Sequence, residues 1–275
     1  MPLTKDQYQM IKNKVKTILN LDDRIIEKRK DIEEGDTSPF LKSLFGDKRT
    51  LFVKVGQSIQ TTMGMSFYEQ TCKILGEQIG CKVELQKKVL GFLPKTVEDY
   101  LNKLDNISYI PNKEKELKDI IALCKKNKIK SIIEYPDSTV DVYITTSEGK
   151  EILIDITTVK PNKKEFRIMH EKTLRWASYK LSQNPSLDIE TYFAFPYNPE
   201  GKTNLDTNYN RFSNYYDRKS ILVGDQLWRK VSNNNCSIED IIKIFVDLGV
   251  EMETKINDSF EKINLFDNSN KEKLL

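Results

Sequence analysis

Residues 138–180 read STVDVYITTSEGKEILIDITTVKPNKKEFRIMHEKTLRWASYK, and this stretch decides the predicted fold. Aliphatic residues occupy every second position in residues 140–145 and again in residues 152–157. Because successive side chains of a strand point to opposite faces, this alternation predicts two β-strands. Each predicted strand carries one acid on the face opposite its alternating aliphatic residues, Asp141 on the first strand and Asp155 on the second.

The connection between the two predicted strands contains Ser147-Glu148-Gly149-Lys150. Glycine and polar residues are typical of a hairpin turn, so we expect the strands to pair. Pairing can bring Asp141 and Asp155 close together on one face of the hairpin. Two such carboxylates suit a hard divalent cation.

Composition restricts the class of protein. The 275 residues are 38% hydrophobic and 31% charged, and the mean hydropathy is −0.55. These values indicate a soluble, globular chain that can form one large domain or two small ones. No apolar run approaches the roughly 20 residues of a membrane span, and the first residues lack the apolar core of a signal peptide. We therefore expect a cytoplasmic protein with no membrane partner.

Cysteine and histidine usage excludes several kinds of site. The four cysteines are scattered without CxxC spacing, so neither a zinc site nor a disulfide framework is predicted. His170 is the only histidine of the chain, which excludes chemistry that needs several imidazoles.

The distribution of charge says more than the net charge of +3. Residues 150–180 contain eight basic and four acidic residues, a local excess of four positive charges. This excess lies next to the predicted acidic pair in the sequence. Such an arrangement favours an anionic substrate that is brought to a bound cation.

The remaining elements are predicted from helical periodicity, from strand-like runs and from turn residues. Helices are predicted in residues 5–33 with a break near 21–23, 40–45, 51–61, 65–79, 113–128, 166–181 and 238–248. Further strands are predicted in residues 83–85, 191–195 and 221–223, and a short apolar segment in residues 130–135. The chain contains no convincing internal repeat or linker.

Glu69 has two interpretations. Ser66 and Glu69 have the spacing of a capping box, in which the glutamate returns to the backbone at the start of a helix. Alternatively, Glu69 is a third acid directed at the predicted cation site. Spacing alone favours capping or simple exposure.

The order of an acidic hairpin, a basic helix and a further strand resembles the PD-(D/E)xK nuclease fold. More narrowly, the segments IDITTVKPN, FRIMHEKTLRWASYKL, FAFPYNP and ILVGDQLW resemble the Tde-type family of type II restriction endonucleases. Members of that family are associated with cutting short palindromes of the GGNCC kind. The resemblance covers roughly residues 20–255.

The resemblance implies an α/β fold with a mixed central sheet flanked by helices and a helical N-terminal region. We expect residues 1–275 to form a single nuclease-like domain. Its predicted parts are a mainly helical part (residues 1–110), a catalytic core (residues 111–255) and a C-terminal tail (residues 256–275).

The implied activity is site-specific hydrolysis of double-stranded DNA within a restriction-modification system. Asp141 and Asp155 would hold Mg²⁺, or alternatively Mn²⁺, and the carbonyl of Ile156 is a further candidate ligand. In families of this kind an acid from the preceding helix often joins the site, and Glu69 is the candidate here.

One position departs from the motif. The motif has a lysine two residues after the second acid, whereas this chain has Thr157. A threonine cannot replace an ammonium group because it carries no charge. The chain is then a natural variant in which Lys160 reaches into the site, an inactive relative, or a protein inactivated by substitution. For Lys160 itself, contact with a phosphate is the favoured role.

The basic segment is expected to contact DNA. Phosphate contacts suit lysine, and base contacts suit arginine and asparagine; a solvated surface position is the alternative for each side chain. The predicted phosphate contacts are Lys163, Lys164, Lys172 and Lys180, and the predicted base contacts are Asn162, Arg167, Arg175 and Arg211. A palindromic site also implies a two-fold symmetric homodimer.

Two other classes of function are compatible with the sequence. The first is a non-catalytic DNA-binding protein on a nuclease scaffold. The second is a structural or interaction protein in which Asp141 and Asp155 only keep the hairpin soluble. Metal binding and DNA cleavage distinguish these alternatives from a nuclease.

Overall fold

A computed structural model describes residues 3–35, 39–90, 93–104, 109–126, 138–157 and 160–271. Contacts divide the chain into two units. The larger unit, Tyr68–Asp240, holds the sheet, and the smaller unit consists of Thr4–Phe67 and Ile241–Leu275. The predicted division into residues 1–110, 111–255 and 256–275 stays a prediction.

The elements are named here in chain order. The helices are α1 (Lys5–Leu19), α2 (Leu21–Glu33), α3 (Pro39–Thr62), α4 (Tyr68–Gln78), α5 (Lys95–Leu104), α6 (Lys113–Lys126), α7 (Lys163–Gln183), α8 (Asp225–Val231) and α9 (Ile238–Lys271). A π-helical segment, Met63–Phe67, lies between α3 and α4. The strands are β1 (Lys82–Lys88), β2 (Thr139–Thr145), β3 (Glu151–Ile156), β4 (Ile189–Phe195) and β5 (Ile221–Val223).

The five strands form one mixed sheet in the order β1-β2-β3-β4-β5. β1 pairs with β2 and β2 with β3 in antiparallel fashion, whereas β3-β4 and β4-β5 are parallel. The parallel step from β3 to β4 requires a crossover connection, which α7 provides. The predicted α/β fold, a mixed central sheet flanked by helices with a helical N-terminal region, is confirmed.

Helices pack against the part of the sheet formed by β1, β2 and β3. Two residues of α7, Trp176 and Ala177, are fully buried in the same hydrophobic cluster as Tyr143 of β2 and Leu153 of β3. α4 packs against β1 so closely that a Cβ atom at Gly76 would lie 2.7 Å from Cγ2 of Val83. The absence of a side chain at Gly76 therefore allows this close approach.

The smaller unit has its own apolar core, which contains Ile25, Ile32, Leu51 and Val55. Its first helix begins with a complete capping box between Thr4 and Gln7. The predicted helical pieces 40–45 and 51–61 belong to one helix, α3, which bends at Gly46, where φ is +72°.

Two sequence expectations concern the rest of the chain. The predicted apolar segment of residues 130–135 lies outside the described residues. None of the helices in the described ranges combines the length and the apolar character that a membrane crossing requires.

Candidate active site

The hairpin places the two predicted aspartates opposite each other. Val142 of β2 pairs with Ile154 of β3 in an antiparallel register. Extending this register by one residue puts Asp141 across from Asp155, and residues directly opposite in a sheet point to the same face. The pair therefore lies at one end of the hairpin, on the face that α7 covers.

The negative charge of Asp141 is only partly offset by its surroundings. Its Oδ2 accepts a hydrogen bond from the backbone N–H of Ile156 (2.7 Å), and its Oδ1 accepts one from the side-chain amide of Gln86 (3.1 Å). Burial and the charge of Asp155 nevertheless raise the pKa of Asp141 to about 6, against these hydrogen bonds and the charge of Lys172. The charge of Lys172 thus does not fully offset the charges of the two carboxylates.

Gln86 joins a third acid to this pair. Its amide nitrogen also donates to Oε1 of Glu69 at 2.8 Å, so one amide group bridges the carboxylates of Glu69 and Asp141. Burial raises the pKa of Glu69, and the charges of Asp141 and Asp155 act in the same direction. The bridge links Glu69 to Asp141, and a role of Glu69 in a reaction stays a prediction.

The backbone of Gln86 has an unusual conformation. Leu85 pairs with Val142 and Lys87 with Val140, and Gln86 lies between them opposite Asp141 with a φ of +49°. A side-chain-bearing residue in this left-handed region is strained. Sequence reasoning missed Gln86, because neither its residue type nor its position in a mixed segment signals a bridge between acids.

The capping interpretation of Glu69 is wrong. Ser66 lies inside the π-helical segment and donates its hydroxyl to the carbonyl of Thr62 (3.4 Å), and α4 follows without a break. A residue inside a helix cannot act as the N-cap, so the spacing of Ser66 and Glu69 does not form a capping box.

Lys172 is the cation of the site. Its Nζ lies 2.6 Å from Oδ1 of Asp155 and 5.2 Å from the ring centroid of Trp176. Lys172 was expected at a DNA phosphate, whereas the structure places its ammonium group against the second aspartate. Asp141, Asp155, Glu69, Gln86 and Lys172 are called the carboxylate cluster below.

The other predicted residues of the motif lie next to this cluster. Thr157 immediately follows β3 and donates its backbone N–H to the carbonyl of Ala194 (3.0 Å). Ile156 contributes its N–H to Asp141, and a role of its carbonyl as a ligand stays a prediction. Lys160 is exposed, and no hydrogen bond or ion pair within the described residues joins it to the cluster.

The cluster suits a metal that needs few protein ligands. The described residues contain no group of three or more His, Cys, Asp or Glu side chains arranged to hold a metal ion. Asp141 and Asp155 are nevertheless an acidic pair whose charge is incompletely compensated, which is what a cation would correct. Mg²⁺ keeps several waters and binds through one or two carboxylates, so the donor set fits it.

The predicted DNA contacts divide into two groups. At the start of α7, Asn162 forms a capping box with Glu165, with hydrogen bonds of 3.0 and 2.6 Å. Lys163 lies over the ring of Phe212, and Arg211 donates its Nε–H to the carbonyl of Pro161 (3.0 Å). Asn162, Lys163 and Arg211 therefore meet at one place, where the loop before α7 contacts the loop after β4.

The other candidates lie along α7. Arg175 makes an ion pair with Glu171 one turn earlier, at 2.8 Å, whereas Lys164 is exposed and Arg167 is half-buried. The side chain of Arg175 is mostly buried, and DNA binding by these three side chains stays a prediction.

Comparison with known proteins assigns the family. A mixed sheet flanked by helices, with two aspartates opposite each other on adjacent strands, is consistent with the PD-(D/E)xK nuclease superfamily. Residues 3–249 match the family described as "Type II restriction endonuclease, HinfI". The chain therefore belongs to this family of type II restriction endonucleases, and the class of protein predicted from the sequence is confirmed.

Two relatives illustrate how far the similarity extends. The type II restriction enzyme MjaII of Methanocaldococcus jannaschii is 25% identical over 304 aligned residues, which cover 100% of this chain and 78% of the relative. The type II restriction enzyme HgiCII of Herpetosiphon aurantiacus is 22% identical over 228 residues, which cover 81% of each chain.

Proposed function

We propose that this chain hydrolyses double-stranded DNA at a short palindromic site in a reaction that depends on Mg²⁺ or Mn²⁺. The observation that carries the proposal is the position of Asp141 opposite Asp155, with burial and the second charge raising the pKa of Asp141 to about 6. A divalent cation would compensate both carboxylates and would polarise the phosphate and the attacking water.

The residues of the carboxylate cluster would have different roles in the reaction. Asp141 and Asp155 would hold the cation, and Gln86 would keep Glu69 beside them through its bridging amide. Glu69 could then accept a hydrogen bond from a water molecule in the site. Both aspartates must be ionised to hold the cation. Protons should therefore compete with the metal at Asp141, whose pKa is raised to about 6 without metal, and metal affinity should weaken as the pH falls.

DNA would be positioned by the basic segment of residues 150–180, which carries four excess positive charges. Lys163 and Lys164 are the proposed phosphate contacts, and Arg211 with Asn162 would be placed near the bases by the two meeting loops. Because phosphate contacts release counterions, DNA affinity should fall steeply with salt.

The proposed active form is a homodimer, since two active sites related by a two-fold axis match the two strands of a palindrome. The smaller unit is the proposed dimer interface, because it carries most of the exposed apolar side chains. Eight of the thirteen exposed large apolar side chains in the described residues belong to it: Met10, Ile26, Phe40, Leu44, Phe45, Phe52, Val246 and Val250. Sedimentation equilibrium should give twice the chain mass of 32.1 kDa, and a monomer at all concentrations would contradict the dimer.

Plasmid digestion tests the proposed activity. Supercoiled plasmid DNA of known sequence is incubated with the purified chain and Mg²⁺, Mn²⁺ or EDTA. Discrete fragments with Mg²⁺ or Mn²⁺ and intact plasmid with EDTA are expected. Thr157 in place of the motif lysine favours a second candidate, a DNA-binding protein without cleavage. That alternative predicts salt-sensitive binding and intact plasmid under every condition.

A further inference from the structure

The motif position that should carry an ammonium group is uncharged in this chain. Thr157 stands two residues after Asp155, and its hydroxyl and methyl groups cannot stabilise a developing negative charge as an ammonium group does. Lys160, the nearest lysine in sequence, is exposed. Strand β3, Thr157 and Lys160 therefore supply no cation to the cluster.

Helix α7 supplies one instead. Nζ of Lys172 lies 2.6 Å from Oδ1 of Asp155, and the side chain is mostly buried. The ring of Trp176, one turn further along α7 and fully buried, lies 5.2 Å from the same ammonium group. A carboxylate on one side and an aromatic face on another fix the position of this cation.

We propose that Lys172 provides from α7 the ammonium group that the motif otherwise provides from the strand position of Thr157. The inference rests on the proposed nuclease function and deepens it by assigning a further catalytic residue. Among the described residues, Lys172 donates one hydrogen bond, to Asp155. An ammonium group has three donors, so Lys172 can also donate to a phosphate oxygen or to the attacking water.

The proposed step is the hydrolysis of one phosphodiester bond. The oxygen of a water molecule attacks phosphorus, and the bond between phosphorus and the leaving oxygen breaks. The attacking water gives a proton to the surrounding water, and the leaving oxygen takes one from it. Lys172 keeps its proton throughout and offsets the negative charge that develops on the phosphate.

A purely structural salt bridge is the competing explanation, and α7 contains a matched example. Lys180 lies 3.0 Å from Oε1 of Glu151, which is also on β3. The side chains of Lys172 and Asp155 are 22% and 11% exposed, and those of Lys180 and Glu151 are 23% and 14% exposed. The two pairs join the same helix to the same strand, so they differ mainly in their surroundings.

The experiment compares Lys172→Met with Lys180→Met and the wild type. Methionine keeps most of the aliphatic side chain and removes the charge, and each variant leaves one strand carboxylate without its lysine. Cleavage of the plasmid is measured at saturating protein with Mg²⁺, and affinity for the same DNA is measured with Ca²⁺. Thermal unfolding of each variant shows that it is folded.

Lys172→Met should slow cleavage by roughly 10²–10³-fold, the loss typical of one transition-state charge contact. Its DNA affinity should stay within about threefold of wild type, because the proposed contact is made mainly in the transition state. Lys180→Met should leave the cleavage rate at saturating protein within about threefold, because Lys180 pairs with Glu151 at the opposite end of β3 from Asp155. Adding Thr157→Lys to Lys172→Met should restore at least about a tenth of the lost rate, because it returns a charge to the site.

Each other outcome has a defined meaning. Unchanged cleavage in Lys172→Met overturns the inference, as does a loss of rate matched by an equal loss of affinity or a double variant no faster than Lys172→Met. An inactive wild type that gains activity with Thr157→Lys also overturns the inference but keeps the nuclease site. Intact DNA with every protein overturns the proposed function and the inference together.

Discussion

Two partly buried acids, one at each end of the sheet, have pKa values shifted in opposite directions. At one end, burial and the charge of Asp155 raise the pKa of Asp141 to about 6. At the other end, burial alone would raise the pKa of Glu190, but hydrogen bonds from Lys150 and Lys230 lower it to about 2. One sheet therefore contains an acid whose negative charge is incompletely offset, Asp141, and an acid whose negative charge is offset by two lysines, Glu190.

The difference supports the proposed position of the cation, at the end of the sheet that contains Asp141. Glu190 lies on β4 and Lys150 immediately precedes β3. Lys150 and Lys230 both pair with Glu190, so the charge of this acid is compensated within the chain. In the carboxylate cluster, Lys172 is the one cation among the described residues; it pairs with Asp155, and its charge also acts on Asp141. Removing charge should thus have opposite consequences at the two ends.

The largest expected effect concerns cleavage. Asp155→Asn removes a proposed metal ligand and should lower the cleavage rate by about 10³-fold or more, since a bound metal supplies several kcal/mol of charge stabilisation. Glu151→Gln is the matched control, because Glu151 also pairs with a lysine of α7. It should cleave within about threefold of wild type. Equal rates for Asp155→Asn and Glu151→Gln in the plasmid assay would refute the assignment.

Asp141→Asn should stabilise the folded chain when metal is absent. Its raised pKa means that the ionised carboxylate is unfavourable in the fold, and the shift to about 6 corresponds to at most about 3 kcal/mol. Urea unfolding in EDTA at pH 7.5 should show a higher free energy of unfolding for the variant.

The pH dependence of that difference follows from the sign of the shift. The folded state binds the proton of Asp141 more tightly than the unfolded state, so its contribution to stability is lost as the pH rises from about 4 to about 6. The gain of Asp141→Asn should therefore vanish near pH 4 and reach its full size above pH 6. A variant that is less stable than wild type at pH 7.5 would contradict this account.

Glu190→Gln should act in the opposite direction. Because the pKa of Glu190 is lowered to about 2 by Lys150 and Lys230, ionised Glu190 stabilises the fold above the ordinary pKa of a glutamate, and the stabilisation is lost as the pH falls towards 2. The variant should lose about 1–3 kcal/mol at pH 7.5, after allowance for its partial exposure. The same urea experiment checks it, and an unchanged unfolding midpoint would contradict the network.

The smallest expected effect is at Gln86. Gln86→Ala and Gln86→Gly both remove the bridging amide but differ in backbone freedom. Because φ is +49° at this position, the glycine variant should be more stable than the alanine variant by about 1 kcal/mol. At Leu85, a regular strand position, the order should be reversed. Thermal unfolding of the four variants tests this, and a more stable Gln86→Ala would show that the conformation is not strained.

The sequence predicted the features that depend on local patterns. Alternation in residues 140–145 and 152–157 predicted the hairpin. Because side chains along a strand alternate with a period of two residues, Asp141 and Asp155 must point away from the alternating aliphatic residues. The amphipathic pattern of residues 166–181 predicted most of α7 (Lys163–Gln183). These elements are specified by residues that are close in the sequence.

The contacts that were missed are long-range. Lys172 reaches Asp155 only because α7 docks on the sheet at one particular rotation, which its own periodicity does not define. Gln86 bridges Glu69 and Asp141 at the one position where the backbone of β1 is distorted. Gln86 and Asp141 are 55 residues apart in the sequence. Tertiary packing decides both, so a helix pattern or a strand pattern could not indicate them.

Binding of Mn²⁺ to the chain without DNA tests the central claim most directly. Isothermal titration calorimetry at pH 7.5 should detect binding to wild type and to Glu151→Gln, and no binding to Asp155→Asn, because the cation is held by the aspartates that the hairpin places opposite each other. Equal Mn²⁺ binding by wild type and Asp155→Asn, or none by either, would contradict the account.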